Sequence, residues 1–91
     1  MSEMQDKLII VTVGARGQGE AEAQLFAREG GAVLIADVLV DEGEALAASL
    51  RQDGSEARFE RLDVADPEDW EKVVGVAREW KGRIDVLINN A

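Results

Sequence analysis

The stretch Leu8-Ile9-Ile10-Val11-Thr12-Val13-Gly14-Ala15-Arg16-Gly17-Gln18-Gly19 decides the fold. Its first half is a continuous aliphatic and β-branched run rather than an alternating one, as a strand covered on both faces must be. Its second half is a loop punctuated by glycines, leading into a helical segment from about Gly19 to Glu29. Gly30 and Gly31 supply the left-handed cap that ends this helix. A buried strand, a glycine turn and a helix together open a parallel α/β unit.

The same unit repeats downstream. Ala32 to Ala36 is a second apolar run, closed by Asp37, and a helix follows from about Asp41 to Gln52 with Leu46 and Leu50 one turn apart and Gly54 beyond its end. Ala57 to Val64 reads as a strand whose charges at Arg58, Glu60 and Arg61 suit a sheet edge. Asp66 is the N-cap of a third helix, with Pro67 at its first position and Glu68 and Asp69 at the positive end of its dipole. Trp70, Val73, Val74, Ala77 and Trp80 form one apolar face of that helix, which Gly82 ends. Both tryptophans are assigned to packing. Ile84 to Ile88 makes the fourth strand, before Asn89, Asn90 and Ala91.

Connections this short force parallel strands and right-handed crossovers. The prediction is half of a doubly wound α/β sheet in three layers. Its four parallel strands run in the order 3-2-1-4, with the first two helices on one face and the third on the other. No linker or repeat of another kind interrupts residues 1–91, so a single domain is expected.

Composition narrows the function. An apolar fraction of 46 % excludes a disordered chain. Nineteen acidic residues against ten basic leave a net charge of −9, which disfavours nucleic acid and anionic membranes as partners. Cysteine, histidine and tyrosine are all absent, removing disulfides, zinc-thiolate sites, thiol nucleophiles and the commonest general base. The apolar runs, Leu8 to Val11 and Ala32 to Ala36, are far too short for a membrane span or a secretion signal, so a cytoplasmic protein is expected.

The candidate site lies at the carboxyl ends of the strands. Backbone amides around Gly14, Gly17 and Gly19, at the start of a helix, form an anion site of the kind that holds a pyrophosphate; the alternative is a turn that merely packs the helix close to the sheet. Asp37, roughly twenty residues further on, is placed to accept hydrogen bonds from both hydroxyls of an adenosine ribose, and would repel a 2′-phosphate. NAD is therefore expected in preference to NADP. Asp63 is placed either to meet the exocyclic amine of an adenine or to cap the following turn. Asn89 and Asn90 either bond a ligand or tie neighbouring loops, with tying favoured for Asn89.

Taken together, Thr12-Val13-Gly14-Ala15-Arg16-Gly17-Gln18-Gly19, Asp37, Asp63-Val64 and Asn89-Asn90-Ala91 resemble the short-chain dehydrogenase/reductase family over the whole chain. The resemblance implies a Rossmann-like, dinucleotide-binding half. Its glycine turn, with Arg16 and Gln18, would hold the pyrophosphate. Asp37 would take the adenosine ribose, with Val38 next to it counted among the cofactor-binding residues; Asp63 and Val64 would lie beside adenine, and Asn89 to Ala91 would line the adenosine side while bracing the sheet. The family's catalytic Ser and Tyr-x-x-x-Lys follow the segment that Ala91 closes, so the 91 residues are expected to be catalytically incompetent alone.

Several residues depart from the family pattern. Val13 stands where the first glycine of the turn belongs, a position costly for valine if left-handed, with Gly14 a partial substitute. Gln18 replaces an apolar residue between two glycines, while Glu22 and Glu60 are carboxylates where apolar residues are expected. Each must face water or find a partner. Glu20 and Glu22 bring negative charge towards the anion site, against which Arg16 would compensate. The polar replacements suggest a half selected or engineered to stand alone. The fourth strand, Ile84 to Ile88, would then have an open edge, and pairing with a second copy into a homodimer is expected. The competing reading is a self-associating structural module of the same fold that has lost cofactor binding. A methyltransferase reading, which uses similar acids, is disfavoured by the Asn89-Asn90-Ala91 ending.

Overall fold

A computed structural model describes residues 5–13 and 15–90, so Gly14 and Ala91 of the candidate site lie outside the described residues. The elements are β1 (Leu8–Thr12), α1 (Gly17–Arg28), β2 (Ala32–Asp37), α2 (Val40–Gln52), β3 (Ala57–Arg61), α3 (Pro67–Lys81) and β4 (Val86–Ile88). All the strand pairs are parallel and the sheet order is β3-β2-β1-β4, as predicted.

The two interior strands are those with unbroken apolar runs. Every residue of β1 and β2 is buried, with Ile9 opposite Val33 and Val11 opposite Ile35. Alternate residues feed opposite layers, because side chains along a strand alternate faces. Ile9, Val11, Val33 and Ile35 pack with Ala23 and Ala27 of α1 and Leu46, Ala47 and Leu50 of α2. Leu8, Ile10, Leu34 and Ala36 pack with Val73 and Ala77 of α3. Trp70 and Trp80 flank this second layer half-buried, in the packing role expected of them. The guanidinium of Arg58 covers the Trp80 ring at 4.7 Å.

Helix ends follow the sequence closely. Gly30 (φ 89°) closes α1, donating to the Ala27 carbonyl while Gly31 donates to that of Phe26. Gly54 and Ser55 repeat this double cap after α2, bonding the carbonyls of Arg51 and Leu50. At α3 the Asp66 carboxylate accepts the Glu68 amide at 2.9 Å, Pro67 occupies the first position, and left-handed Gly82 closes the helix.

Strand ends are shorter than predicted, and for a common reason: side-chain carboxylates take the backbone amides. The strand predicted to reach Val64 stops at Arg61, because the Asp63 amide turns out of the ladder to donate to Asp69 Oδ2 at 2.9 Å. The strand predicted from Ile84 begins at Val86. Asp85 already accompanies β1, donating its amide to the Leu8 carbonyl at 3.0 Å, but the Leu8 amide is taken by Asp85 Oδ2 at 2.8 Å rather than by a backbone carbonyl. The Arg83 guanidinium clasps the same carboxylate and, with the Leu8 amide, holds Asp85 below the usual carboxylate range; Arg83 is correspondingly raised.

One contact was not anticipated. A Cβ built on Gly43, inside α2, would sit 2.1 Å from Phe59 Cε1, so the Phe59 ring on β3 occupies the space above the bare helix backbone. The missing side chain lets α2 approach the sheet edge. Among the described residues no helix is long and apolar enough to cross a membrane.

Candidate functional site

Parallel strands carry their carboxyl ends to one edge of the sheet. The crossovers diverge between β1 and β4, the position where open α/β sheets bind ligands. Three elements meet there: the turn after β1, the end of β2, and Asn89 and Asn90 after β4.

Thr12 ends β1 wholly buried, and the next residue, Val13, is left-handed at φ 51° and 39 % exposed. The sequence marked this position as costly for valine, and the structure places valine there in that costly conformation, its side chain turned towards solvent. Ala15 is buried and Arg16 is extended (φ −146°, ψ 167°). Gly17 (φ 60°) then opens α1, two residues earlier than the Gly19 start predicted. Arg16, at the N-cap, makes no side-chain cap bond, so among the described residues the amides of Gly17, Gln18 and Gly19 start the helix without the N-cap partner that Asp66 supplies to α3. Gln18 is exposed, while Gly19 is buried against the sheet.

Asp37 is 4 % exposed, and both its oxygens are engaged. Oδ2 accepts the Ala15 amide at 3.1 Å and Oδ1 accepts the Leu39 amide at 3.2 Å. The carboxylate thus joins the glycine turn to the β2–α2 loop, and two acceptor positions remain beyond those bonds. Beside it Val38 is 53 % exposed.

After β3, Asp63 Oδ1 accepts the Ala65 amide at 3.0 Å, the turn-capping arrangement weighed for it. The buried Asp69 holds this loop, bonding Arg61 Nη1 at 2.8 Å as well as the Asp63 amide. Trp70 donates its indole N–H to the Val64 carbonyl at 2.8 Å. In the sequence Asp69 reads only as a dipole complement; nothing in its spacing announces it as the loop's anchor.

At the end of β4, Asn90 does most of the tying. Its backbone amide donates to Thr12 Oγ1 at 3.1 Å, and its side-chain amide donates to the Thr12 carbonyl at 3.0 Å and to Glu22 Oε1 at 2.9 Å. Thr12 Oγ1 lies 3.3 Å from Asn89 Oδ1, so Asn89 joins the same cluster. Glu22, out of pattern in the sequence, finds here the partner such a carboxylate requires. Glu60 is half-buried on the edge strand β3. Arg16 does not lean towards Glu20 or Glu22 but pairs with Glu42 of α2 at 3.7 Å, both side chains well exposed. Such a surface pair adds little.

The site therefore offers a run of helix-terminal amides, a carboxylate fixed at the end of β2, and three exposed apolar residues, Val13 and Val38 directly after β1 and β2 and Val64 in the loop after β3. Among the described residues no group of His, Cys, Asp or Glu is placed to hold a metal ion. This arrangement suits a ligand with an anionic centre and an apolar ring system better than it suits acid–base work.

A profile of the family described as short chain dehydrogenase matches residues 7–91. The chain is 42 % identical to trans-4-hydroxycyclohexanecarboxylate dehydrogenase of Sinomonas cyclohexanicum, over 94 % of this chain and 36 % of that protein. It is 36 % identical to cyclopentanol dehydrogenase of Comamonas sp. (strain NCIMB 9872), over 100 % of this chain and 36 % of that protein. It is also 45 % identical to the sex determination protein tasselseed-2 of Zea mays, over 97 % of this chain and 26 % of that protein. The chain spans about a third of the length of the curated relatives it matches.

Proposed function

The chain belongs to the short-chain dehydrogenase family, and we propose that its 91 residues form the NAD(H)-binding half of an oxidoreductase site. The observation that carries the proposal is the start of α1, where Arg16 supplies no side-chain cap, set against Asp37 at the switch point of the sheet. The amides of Gly17, Gln18 and Gly19 would take the pyrophosphate, at the positive end of the helix, with Gly14 and Arg16 completing the turn.

Asp37 has acceptor capacity beyond its two amide bonds, which suits ribose hydroxyls and opposes a 2′-phosphate; NAD is thus preferred to NADP. Val38 and Val64, apolar yet exposed, would flank the adenine, with Asp63 towards its edge. Asn89, Asn90 and Ala91 would close the adenosine side. When bound, the nicotinamide supplies a hydride donor or acceptor. The chain's own part is to bind and orient it: with no His, Cys or Tyr in these 91 residues, they hold the cofactor without turning it over.

The test is an amide-resolved titration of the protein with NAD. Shifts concentrated at Ala15, Gln18, Gly19 and Val38 are the expected result, and shifts scattered over the surface or absent would contradict the assignment.

A second reading, a self-associating module, is favoured by the outer edge of the sheet. Leu87 of β4 is 50 % exposed in a strand paired on one side only, with β1. Antiparallel pairing of β4 with a second copy would cover that edge as a homodimer. Sedimentation at micromolar concentration should give twice the chain mass, and a monomer refutes the pairing.

A further inference from the structure

We propose that Glu22 is a positioning residue: through Asn90 it keeps Val13 in its left-handed conformation and so sets the shape of the glycine turn. The consequence for NAD rests on the binding reading above; the effect on the turn does not.

Two anchors bracket the start of the turn. On one side the Thr12 carbonyl is held at 3.0 Å by Asn90 Nδ2; on the other the Ala15 amide is held at 3.1 Å by Asp37 Oδ2. Only residues 13 and 14 lie between them. A span this short leaves the backbone few ways to join the anchors, and Val13 adopts φ 51°, a value a β-branched residue does not choose. Such a conformation persists only where its surroundings over-determine it. If either anchor slackens, Val13 can relax towards an extended conformation and the turn changes shape.

Glu22 acts on the first anchor. The Asn90 side-chain amide has two hydrogens, one directed at the Thr12 carbonyl and the other at Glu22 Oε1, 2.9 Å away. With Glu22 accepting one, the carboxamide is oriented so that the other meets Thr12. Asn90 and Glu22 are both half-buried, so water is a poorer substitute partner than it would be on an open surface. Glu22 also lies in α1, the helix into which the turn runs, so the same bond staples the exit of the turn to the ends of β1 and β4. The two departures from the family pattern, Val13 and Glu22, are thereby coupled: the carboxylate maintains the strain that the valine introduces.

The test compares the 91-residue protein with Glu22→Ala, Glu22→Gln, Val13→Gly and the double variant Val13→Gly/Glu22→Ala. Exchange protection of the Ala15 amide and NAD affinity are both measured. Glu22→Ala should lower each by about tenfold, the scale of coupling between residues sharing one network. Glu22→Gln, which keeps an acceptor at the same atom, should stay within about twofold of the parent. In the glycine background the alanine change should have less than about a threefold effect, because no strain remains to be held. Equal losses in both backgrounds would make Glu22 an ordinary structural contact and overturn the proposal. If Glu22→Ala alone fails to fold, recovery of folding in the double variant is the expected result, and its absence contradicts the coupling. Absence of NAD binding in every protein would defeat the binding reading, while Ala15 exchange would still decide the role of Glu22.

Discussion

The Asp37 carboxylate accepts the Ala15 amide at 3.1 Å, a buried bond that fastens the turn after β1 to the end of β2. An acid expected to face a ligand is thus also a structural clamp on the turn that would cradle that ligand. Replacing it by alanine removes the partners of two backbone amides at once, Ala15 and Leu39. A buried donor left without a partner costs about 1–3 kcal/mol, so Asp37→Ala should lower unfolding stability by at least that range and abolish NAD binding. Asp37→Asn keeps one acceptor oxygen and should lose less of both. Denaturant unfolding beside ligand titration checks this, and an Asp37→Ala protein of unchanged stability would show that the clamp is unimportant.

Val13→Gly should stabilise the chain. Left-handed backbone costs an L-residue about 1–2 kcal/mol, and glycine returns part of that by its greater freedom when unfolded, leaving a net gain of about 1 kcal/mol. Because Val13 is already 39 % exposed, removing its side chain forfeits only part of what a fully buried valine would contribute. The expected reading is a higher denaturant midpoint at unchanged slope; a lower midpoint would mean that the valine side chain contributes packing of its own.

Gly43→Ala should destabilise, although alanine is the better helix former by about 1 kcal/mol. The added Cβ would lie 2.1 Å from Phe59 Cε1, and forcing a ring out of a packed site costs about 1–3 kcal/mol. In a Phe59→Leu background, where the ring is gone, the same change should become neutral or favourable. Thermal unfolding of the four proteins reads the sign directly.

The acid side of the stability curve should carry a contribution from Asp85. Its folded pKa is held below the ordinary 3.8, chiefly by the Arg83 guanidinium and then by the Leu8 amide. The unfolded chain therefore takes up the proton first, so the contribution is complete above about 3.8 and disappears as pH falls through the lower folded value. Asp85→Asn should flatten that part of the curve between pH 5 and 2, roughly the span in which carboxylates titrate. An unchanged slope would place the acid sensitivity elsewhere.

The architecture was legible because burial is written into β1 and β2 as unbroken apolar runs, and the helix ends into Asp66, Pro67 and the glycines at 30, 54 and 82. Strand ends were not, since Asp69 and Asp85 end or shorten strands by capturing backbone amides, and a side chain's choice of amide has no local signature. Within the site, the positions of Asp37, Val13 and Glu22 could be read from spacing and departures. Their partners could not: Asn90 is 68 positions from Glu22, and only the sheet order brings the two together. Phe59 over Gly43 belongs to the same class, a contact made by packing rather than by pattern.

On the proposed reading, this half-sheet holds NAD through the α1 amides and Asp37. Calorimetric titration of the folded 91-residue protein with NAD and, separately, with NADP tests it most directly. Saturable NAD binding with NADP weaker is the expected outcome. The absence of heat with either dinucleotide, or tighter binding of NADP, would contradict it.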